Sequence, residues 1–246
     1  NTPEYIRTVV EAIAYAFNDK RNKVGDPAFV DVPLDQLVDK DYAKSFADRI
    51  TAGEKASLDR MTLAESKDTT HVCTLDEHGN AVTMTHTLGA PSGVIAPGTG
   101  FIMNGCMSIF DPRPGKAMSI APGKSYTSSM SPAILFDGDS PHIVIGAPGA
   151  AYIPQAIAQA IANAVDFGMT MTEAVAAPRI AITKNQTVEV SNRIPQYVTD
   201  EVKAMGYGLI RNYLSYAFAG VHGIKVTSDG WQGGADPGRD GVALVV

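Results

Sequence analysis

Thr69, in the run Asp68-Thr69-Thr70-His71, is the residue whose type and setting could do the most chemistry. It stands between a polar stretch and the first strand-like segment. A Thr that becomes a chain start holds a nucleophile, its hydroxyl, and a base, its α-amine, in one residue. Counting residues puts a second hydroxyl beside it. Thr70–Leu75 and Ala81–Leu88 are strand-like, and Asp76-Glu77-His78-Gly79-Asn80 between them reads as a turn. With Leu75 facing Ala81, Thr69 faces Thr87, and directly opposed residues share a face about 5 Å apart. Thr83, Thr85 and Thr87 would equally suit a half-exposed strand face with no chemistry.

Two further segments could serve an acyl-transfer reaction. Gly146-Ala147-Pro148-Gly149-Ala150 joins a strand end to a helix start. Backbone N–H groups there are unpaired and attract negative charge, as a tetrahedral intermediate requires. Gly149 has no side chain to hold a substrate off. The same residues could simply punctuate a tight turn. Ser128-Ser129-Met130-Ser131 sets hydroxyls before a strand, where they could grip a carboxylate or merely meet solvent.

The elements that must position these groups run in blocks. Thr2 reads as an N-cap and Pro3 as the first helical residue, with Ile6, Val9, Val10, Ile13 and Phe17 at helical spacing. Arg21–Pro33 reads as loop, Asp41–Ile50 as a second helix, and Thr51–Lys67 as a mobile linker. Beyond the first hairpin, strands are expected near Gly93–Ala96, Gly100–Asn104, Ser131–Phe136 and His142–Gly146. A helix with Ile153, Ile157, Ala160, Ile161, Ala164 and Val165 on one face follows. Then come a short helix over Thr172–Ala177, a strand at Val188 and Val190, a helix over Pro195–Met205, and strands at Gly223–Thr227 and Val242–Val246. Paired strands with segregated helices predict an α+β layered fold with antiparallel sheet.

Composition excludes several classes. The 246 residues are 45% hydrophobic, enough for one large core or two smaller ones. A net charge of −6 with no long basic run argues against nucleic-acid binding. The apolar runs are too short for a transmembrane helix. Cys73 and Cys106 fit neither a zinc site nor a redox pair and read as buried thiols. The histidines do not cluster as metal ligands, and no P-loop or dinucleotide fingerprint occurs, so no metal or cofactor is expected.

Together the pieces resemble the gamma-glutamyltransferase family of N-terminal-nucleophile hydrolases. The carrying segments are Thr69-Thr70-His71, Asp76–Val82, Gly98–Asn104, Ser128–Pro132, Gly146–Gly149, Asp166–Met169 and Ala177-Pro178-Arg179. Ala235-Asp236-Pro237, Arg239 and Asp240-Gly241 fit as well. Residues 1–68, with Arg21-Asn22 and Gly25-Asp26-Pro27, resemble the end of the family's large subunit, and 69–246 its small subunit. The resemblance implies a four-layer αββα sandwich, incomplete here without the rest of the large subunit. It implies self-cleavage between Asp68 and Thr69, after which Thr69 attacks an amide carbonyl. The acyl-enzyme then passes to water or an amine. By the same resemblance Thr87 supports the nucleophile, Gly149 and Ala150 form the oxyanion hole, and Ser128 and Ser129 hold the substrate's carboxylate. The absent part would add an Arg that pairs with that carboxylate.

Some positions depart from the family pattern. Gly89 replaces an Asn, and Cys106 and Ile109 replace the amide or acid and the Asp that grip the γ-glutamyl ammonium. Neither side chain can pair with an ammonium, and leaving one buried and unpaired costs roughly several kcal/mol. Ala150 replaces a Gly, adding a methyl at the oxyanion site. The expected substrate is therefore an amide of a carboxylate-bearing acyl group that lacks the α-ammonium. The second reading is an uncleaved, non-catalytic member that binds small carboxylated ligands. Expected partners are the remainder of the large subunit, a small-molecule amide and, through exposed sheet edges and apolar surface, a further copy of the protein. The compartment, cytoplasm or bacterial periplasm, stays open.

Overall fold

Helix α1 (Pro3–Lys23) begins as its sequence dictates, with Thr2 accepting the Tyr5 N–H at 3.1 Å and Pro3 inside the first turn. The computed structural model describes residues 1–58, 69–184 and 187–246. After the short α2 (Leu34–Leu37), α3 (Lys40–Thr51) starts on an Asp39 cap and packs against α1. Residues 52–58 are not the loose linker expected: Ala56 and Leu58 are buried, and the Glu11 carboxylate accepts the Ala56 N–H at 2.6 Å. The remainder of that linker, with Asp68, lies outside the described residues.

Strands β1 (Thr69–Leu75) and β2 (Ala81–Thr87) form the expected hairpin, with every pair from Leu75↔Ala81 to Thr69↔Thr87 in the counted register. Asp76 fixes the turn by accepting from the N–H groups of His78 (3.0 Å) and Asn80 (2.8 Å). A small ribbon of β3 (Pro91–Ile95) and β4 (Ile102–Asn104) follows. The central sheet contains β5 (Ala133–Asp137) and β6 (Ser140–Gly146), and the β1–β2 hairpin lies across it. On its other face sit α4 (Ile153–Val165) and α5 (Met171–Ala176). Helix, sheet and hairpin thus stack as α, β, β, part of the expected αββα arrangement. Val72, Val82 and Met84 are exposed on the hairpin's outer face.

A second sheet orders β7 (Ile180–Lys184), β8 (Thr187–Ser191) and, after α6 (Gln196–Ala204), β9 (Gly208–Asn212). Strands β8 and β9 are parallel, an exception to the antiparallel expectation that α6 makes possible by carrying the crossover. One core joins α1, α3 and α6 to β7 and β8 through Ile6, Val10, Ile180, Val190 and Val202. A second lies between β6, α4 and α5.

The last strands differ from expectation. β10 (His222–Thr227) joins β6, but its hairpin partner β11 is Gly230–Ala235. Val242–Val246 is not a strand, and Val246 is fully exposed. Glycines at 230, 233 and 234 disguise β11 as loop; Gly234 is needed because a Cβ there would meet the Met171 carbonyl oxygen at 2.6 Å.

β7 is an edge strand, yet its backbone is paired. Gln155 and Gln159, one turn apart on α4, each engage a β7 residue at both backbone groups. Gln155 accepts the Ile182 N–H at 2.9 Å and donates to its carbonyl at 3.3 Å. Gln159 does the same for Ile180 at 3.1 and 2.8 Å. Replacing Gln159 with Leu orphans the two backbone groups of buried Ile180. Chemical denaturation is expected to show a loss of at least about 2 kcal/mol.

Candidate functional site

The hairpin register brings the hydroxyls of Thr69 and Thr87 to 2.8 Å. Thr87 also accepts the Gly89 N–H at 2.9 Å, which fixes its oxygen beside Thr69. Below this pair the inner face of the hairpin is polar. The His71 ring bonds Thr85 at 2.8 Å through Nδ1, and Cys73 and Thr83 at 3.1 and 3.2 Å through Nε2. Thr83 in turn donates to the Ile145 carbonyl of β6 at 3.0 Å. A Cβ at residue 146 would lie 2.1 Å from the His71 ring, so Gly146 is what lets hairpin and sheet close up. Burial and nearby His222 push the His71 pKa down to about 4, so the ring is neutral at pH 7. Burial raises the Cys73 thiol to about 11 and keeps it protonated.

The segment Gly146–Ala150 leaves β6 and turns into a short 3-10 turn (Ala150–Tyr152) that leads into α4. Gly149 has φ +140° and packs on Ala219, where a Cβ would meet the Ala219 Cβ at 2.4 Å. Ala150 itself has φ +53°, a left-handed conformation that costs an L-residue roughly 1 kcal/mol. Among the described residues, nothing accepts from the N–H of Gly149 or Ala150. The turn is held from behind. Gly220 donates to the Pro148 carbonyl at 3.0 Å, and Arg179 donates to the Ala219 carbonyl at 3.1 Å. Arg179 is ion-paired with buried Asp236, so two distant sequence motifs meet behind this turn.

A cavity of about 640 Å³ opens beside the threonine pair. Thr69, Thr87, Gly89, Cys106, Ile109, Ser128, Ser129 and Ala150 all line it, whereas Gly149, the residue before Ala150, is not part of the lining. Gly89 and Cys106 are coupled: a Cβ on Gly89, at φ +68°, would lie 2.8 Å from the Cys106 sulfur. The Tyr126 hydroxyl has its pKa raised by its bond to Cys106 and by burial. The acidic residue of the lining is Asp111, and Arg113 occupies both its oxygens, at 2.8 and 2.6 Å.

Sequence reasoning missed Lys20, from the last turn of α1. Its ammonium donates to Ser129 Oγ at 2.9 Å and to the Ser128 carbonyl at 3.2 Å, and burial lowers its pKa. The signal was the i, i+3 spacing from Phe17, which turns both side chains toward the same cavity. Asp26 anchors this region by accepting the Ser125 N–H at 2.7 Å, drawing the Ser128-Ser129 segment to the end of α1.

The layering and a threonine pair on a hairpin over the central sheet are those of the N-terminal-nucleophile hydrolase fold class. The sequence matches the Gamma-glutamyltranspeptidase family over residues 1–246, and the chain belongs to that family. It is 37% identical over 245 residues to the Acylase ACY 1 proenzyme of Pseudomonas sp. (strain V22), covering 98% of this chain and 43% of that protein. The chain thus spans less than half the length of this relative. Among solved structures, cephalosporin acylase from Bacillus halodurans superposes with a TM-score of 0.87 at 26% identity, over 98% of this chain and 45% of that one. Gamma-glutamyltranspeptidase from Pseudomonas nitroreducens gives 0.66 at 34% identity, over 72% of this chain and 99% of that one.

The His71 setting makes stability pH-dependent. The unfolded chain binds a proton at this ring below pH 6.5, whereas the folded protein resists protonation down to about 4. Stability therefore falls as pH drops through that window, by up to about 3 kcal/mol from this residue. Burial lowers the His222 pKa as well, which adds in the same direction. Urea unfolding of a His71→Gln variant is expected to show a flatter acid limb than the wild type.

Proposed function

We propose that the protein is a self-processing amide hydrolase or acyltransferase that cuts its own backbone between Asp68 and Thr69. The observation that carries this reading is the 2.8 Å hydroxyl pair of Thr69 and Thr87 at the wall of a cavity also lined by Ser128, Ser129 and Ala150. After the cut, the α-amine of Thr69 takes the hydroxyl proton, with Thr87 orienting the oxygen. Thr69 Oγ bonds to the amide carbon, and the N–H groups of Gly149 and Ala150 receive the charge that develops on the carbonyl oxygen. The carbon–nitrogen bond breaks, the amine leaves with the proton, and the acyl-enzyme passes to water or to an amine.

On this reading residues 1–68 close the large subunit and 69–246 form the small one. The P. nitroreducens transpeptidase chain covers 72% of this chain, a share close to that of residues 69–246. The remainder of the large subunit is the protein's first partner and completes the site.

The substrate is an amide of an acyl group that carries a carboxylate but no α-ammonium. Cys106 and Ile109 offer an ammonium nothing to pair with, and Asp111 is held by Arg113. Glutaryl and γ-glutamyl p-nitroanilides differ only by the amino group, and the glutaryl compound is expected to be turned over at least about tenfold faster, a difference of about 1.4 kcal/mol. A preference for the γ-glutamyl compound would reverse this assignment.

Ala150, strained at φ +53° and bearing an added methyl, favours the second reading, an uncut protein that binds carboxylated ligands. N-terminal sequencing separates the two. A Thr-Thr-His-Val fragment is expected from protein expressed from its complete reading frame. A Thr69→Ala variant is expected to stay intact and to hydrolyse no amide; recovery of only intact wild-type chain would support the binder.

A further inference from the structure

We infer that Tyr152 and Glu189 are positioning residues for the turn that bears Gly149 and Ala150, a role that rests on the proposed amide-cleaving function. The N–H groups of Gly149 and Ala150 are the donors of that reaction, and Ala150 holds a left-handed conformation that an L-residue keeps only where its surroundings impose it. Gly220 holds the turn from behind through the Pro148 carbonyl, and Gln155 of α4 donates to the Ala151 carbonyl at 3.3 Å. Both contacts grip backbone. Of the three residues in the 3-10 turn, Ala150 and Ala151 end at a methyl, so the side-chain hydrogen bond must come from Tyr152. Its hydroxyl donates to Glu189 Oε2 at 2.7 Å, while its N–H donates to the Gly149 carbonyl at 3.1 Å. Its ring meets the Phe218 ring edge to face, with centroids 6.4 Å apart. Phe218 is buried and precedes Ala219, the residue on which Gly149 packs. Tyr152 therefore braces the turn at its own end and, through Phe218, at the Gly149 end.

Glu189 is a firm anchor. It lies on β8, the middle strand of the second sheet. Val188 and Val190 point into the core shared with α1, so Glu189 between them faces the opposite way, toward the turn. Its other oxygen, Oε1, accepts from Asn212 Nδ2 on β9 at 2.6 Å. Two donors from two elements thus fix the carboxylate, and an ionised carboxylate is the side chain that accepts on both of its oxygens. A hydrogen bond to such a group is also stronger than one between neutral partners. Neither Tyr152 nor Glu189 lines the cavity, so both reach a substrate only through the backbone they hold. The second sheet, which contributes no residue to the cavity wall, is in this way tied to the oxyanion donors.

The test uses protein expressed from the complete reading frame, with rates taken per molecule of chain starting at Thr69. The substrate is whichever of the glutaryl and γ-glutamyl p-nitroanilides the wild type cleaves faster, so the reading does not depend on the acyl group. Formation and breakdown of the acyl-enzyme both pass through a tetrahedral oxyanion. Tyr152→Phe removes one hydroxyl and is expected to lower kcat at least about tenfold while KM stays within about twofold, the mark of a displaced donor rather than of a lost binding contact. Tyr207→Phe strips a tyrosine hydroxyl from its bond to Glu11 in the core shared with α1, and is expected to leave kcat within about twofold. An unchanged kcat in Tyr152→Phe, a rise in KM with kcat kept, or an equal loss in Tyr207→Phe overturns the inference. Hydrogen–deuterium exchange over residues 147–153 reads the turn in cut and uncut protein alike. It is expected to quicken at least about fivefold in Tyr152→Phe and to stay at the wild-type rate in Tyr207→Phe. Equal exchange in wild type and Tyr152→Phe also overturns the inference. Should Tyr152→Phe fail to fold, Glu189→Gln, which keeps the shape but offers one acceptor oxygen, is expected to give the same fall in kcat and the same faster exchange. A wild type that cleaves no amide refutes the underlying function instead.

Discussion

The pairing register of the β1–β2 hairpin is the constraint on which the candidate site depends. In a strand, alternate side chains point to opposite faces, so a slip of one residue would turn Thr69, His71, Thr85 and Thr87 outward together. The Asp76 turn sets the register at one end. At the other, the contact of the His71 ring with Gly146 lets only this face of the hairpin approach the central sheet. The polar inner face is thus both the glue between two layers and the support beneath the threonine pair. A neutral His71 suits both roles, since a charge there would have to be buried among hydroxyls, a thiol and backbone.

The residues lining the cavity form a connected set. Gly89 is the residue that fits at φ +68° against the Cys106 sulfur, so the two positions share a single volume. On the opposite wall, Lys20 and the two serines concentrate positive charge and hydroxyl donors. The cavity is consequently asymmetric: one wall sets a glycine against a thiol, while the other carries an ammonium and two serines. The Ala150 methyl narrows the remaining wall at a backbone conformation that Gly would adopt without strain.

Much of this was legible in the sequence because local rules governed it. The Thr69↔Thr87 pairing followed from turn counting alone, and α1 and α4 followed from caps and apolar spacing. What escaped was set by tertiary contacts. Strand β11 is written in glycines because the Met171 backbone crowds it, and Val242–Val246 looks like a strand but joins no sheet among the described residues. Strand β9 was not anticipated, since its pairing is parallel and depends on the α6 crossover. Residues 56–58 read as linker until a buried Glu11 supplies an acceptor for their backbone. Lys20 escaped because a single Lys near a helix end has an ordinary explanation in the helix dipole; only folding brings it against Ser129.

The paired glutamines of α4 have a mechanical consequence. By imitating the hydrogen-bonding rim of a neighbouring strand, Gln155 and Gln159 lock the helix to β7 at a fixed height, so the helix cannot slide without unzipping four amide contacts. Because the 3-10 turn bearing Ala150 is spliced to the start of that helix, the two amide side chains act as a ratchet pawl for a loop several residues away. They also occupy the outward backbone groups of Ile180 and Ile182, so a foreign strand cannot zip onto β7 there.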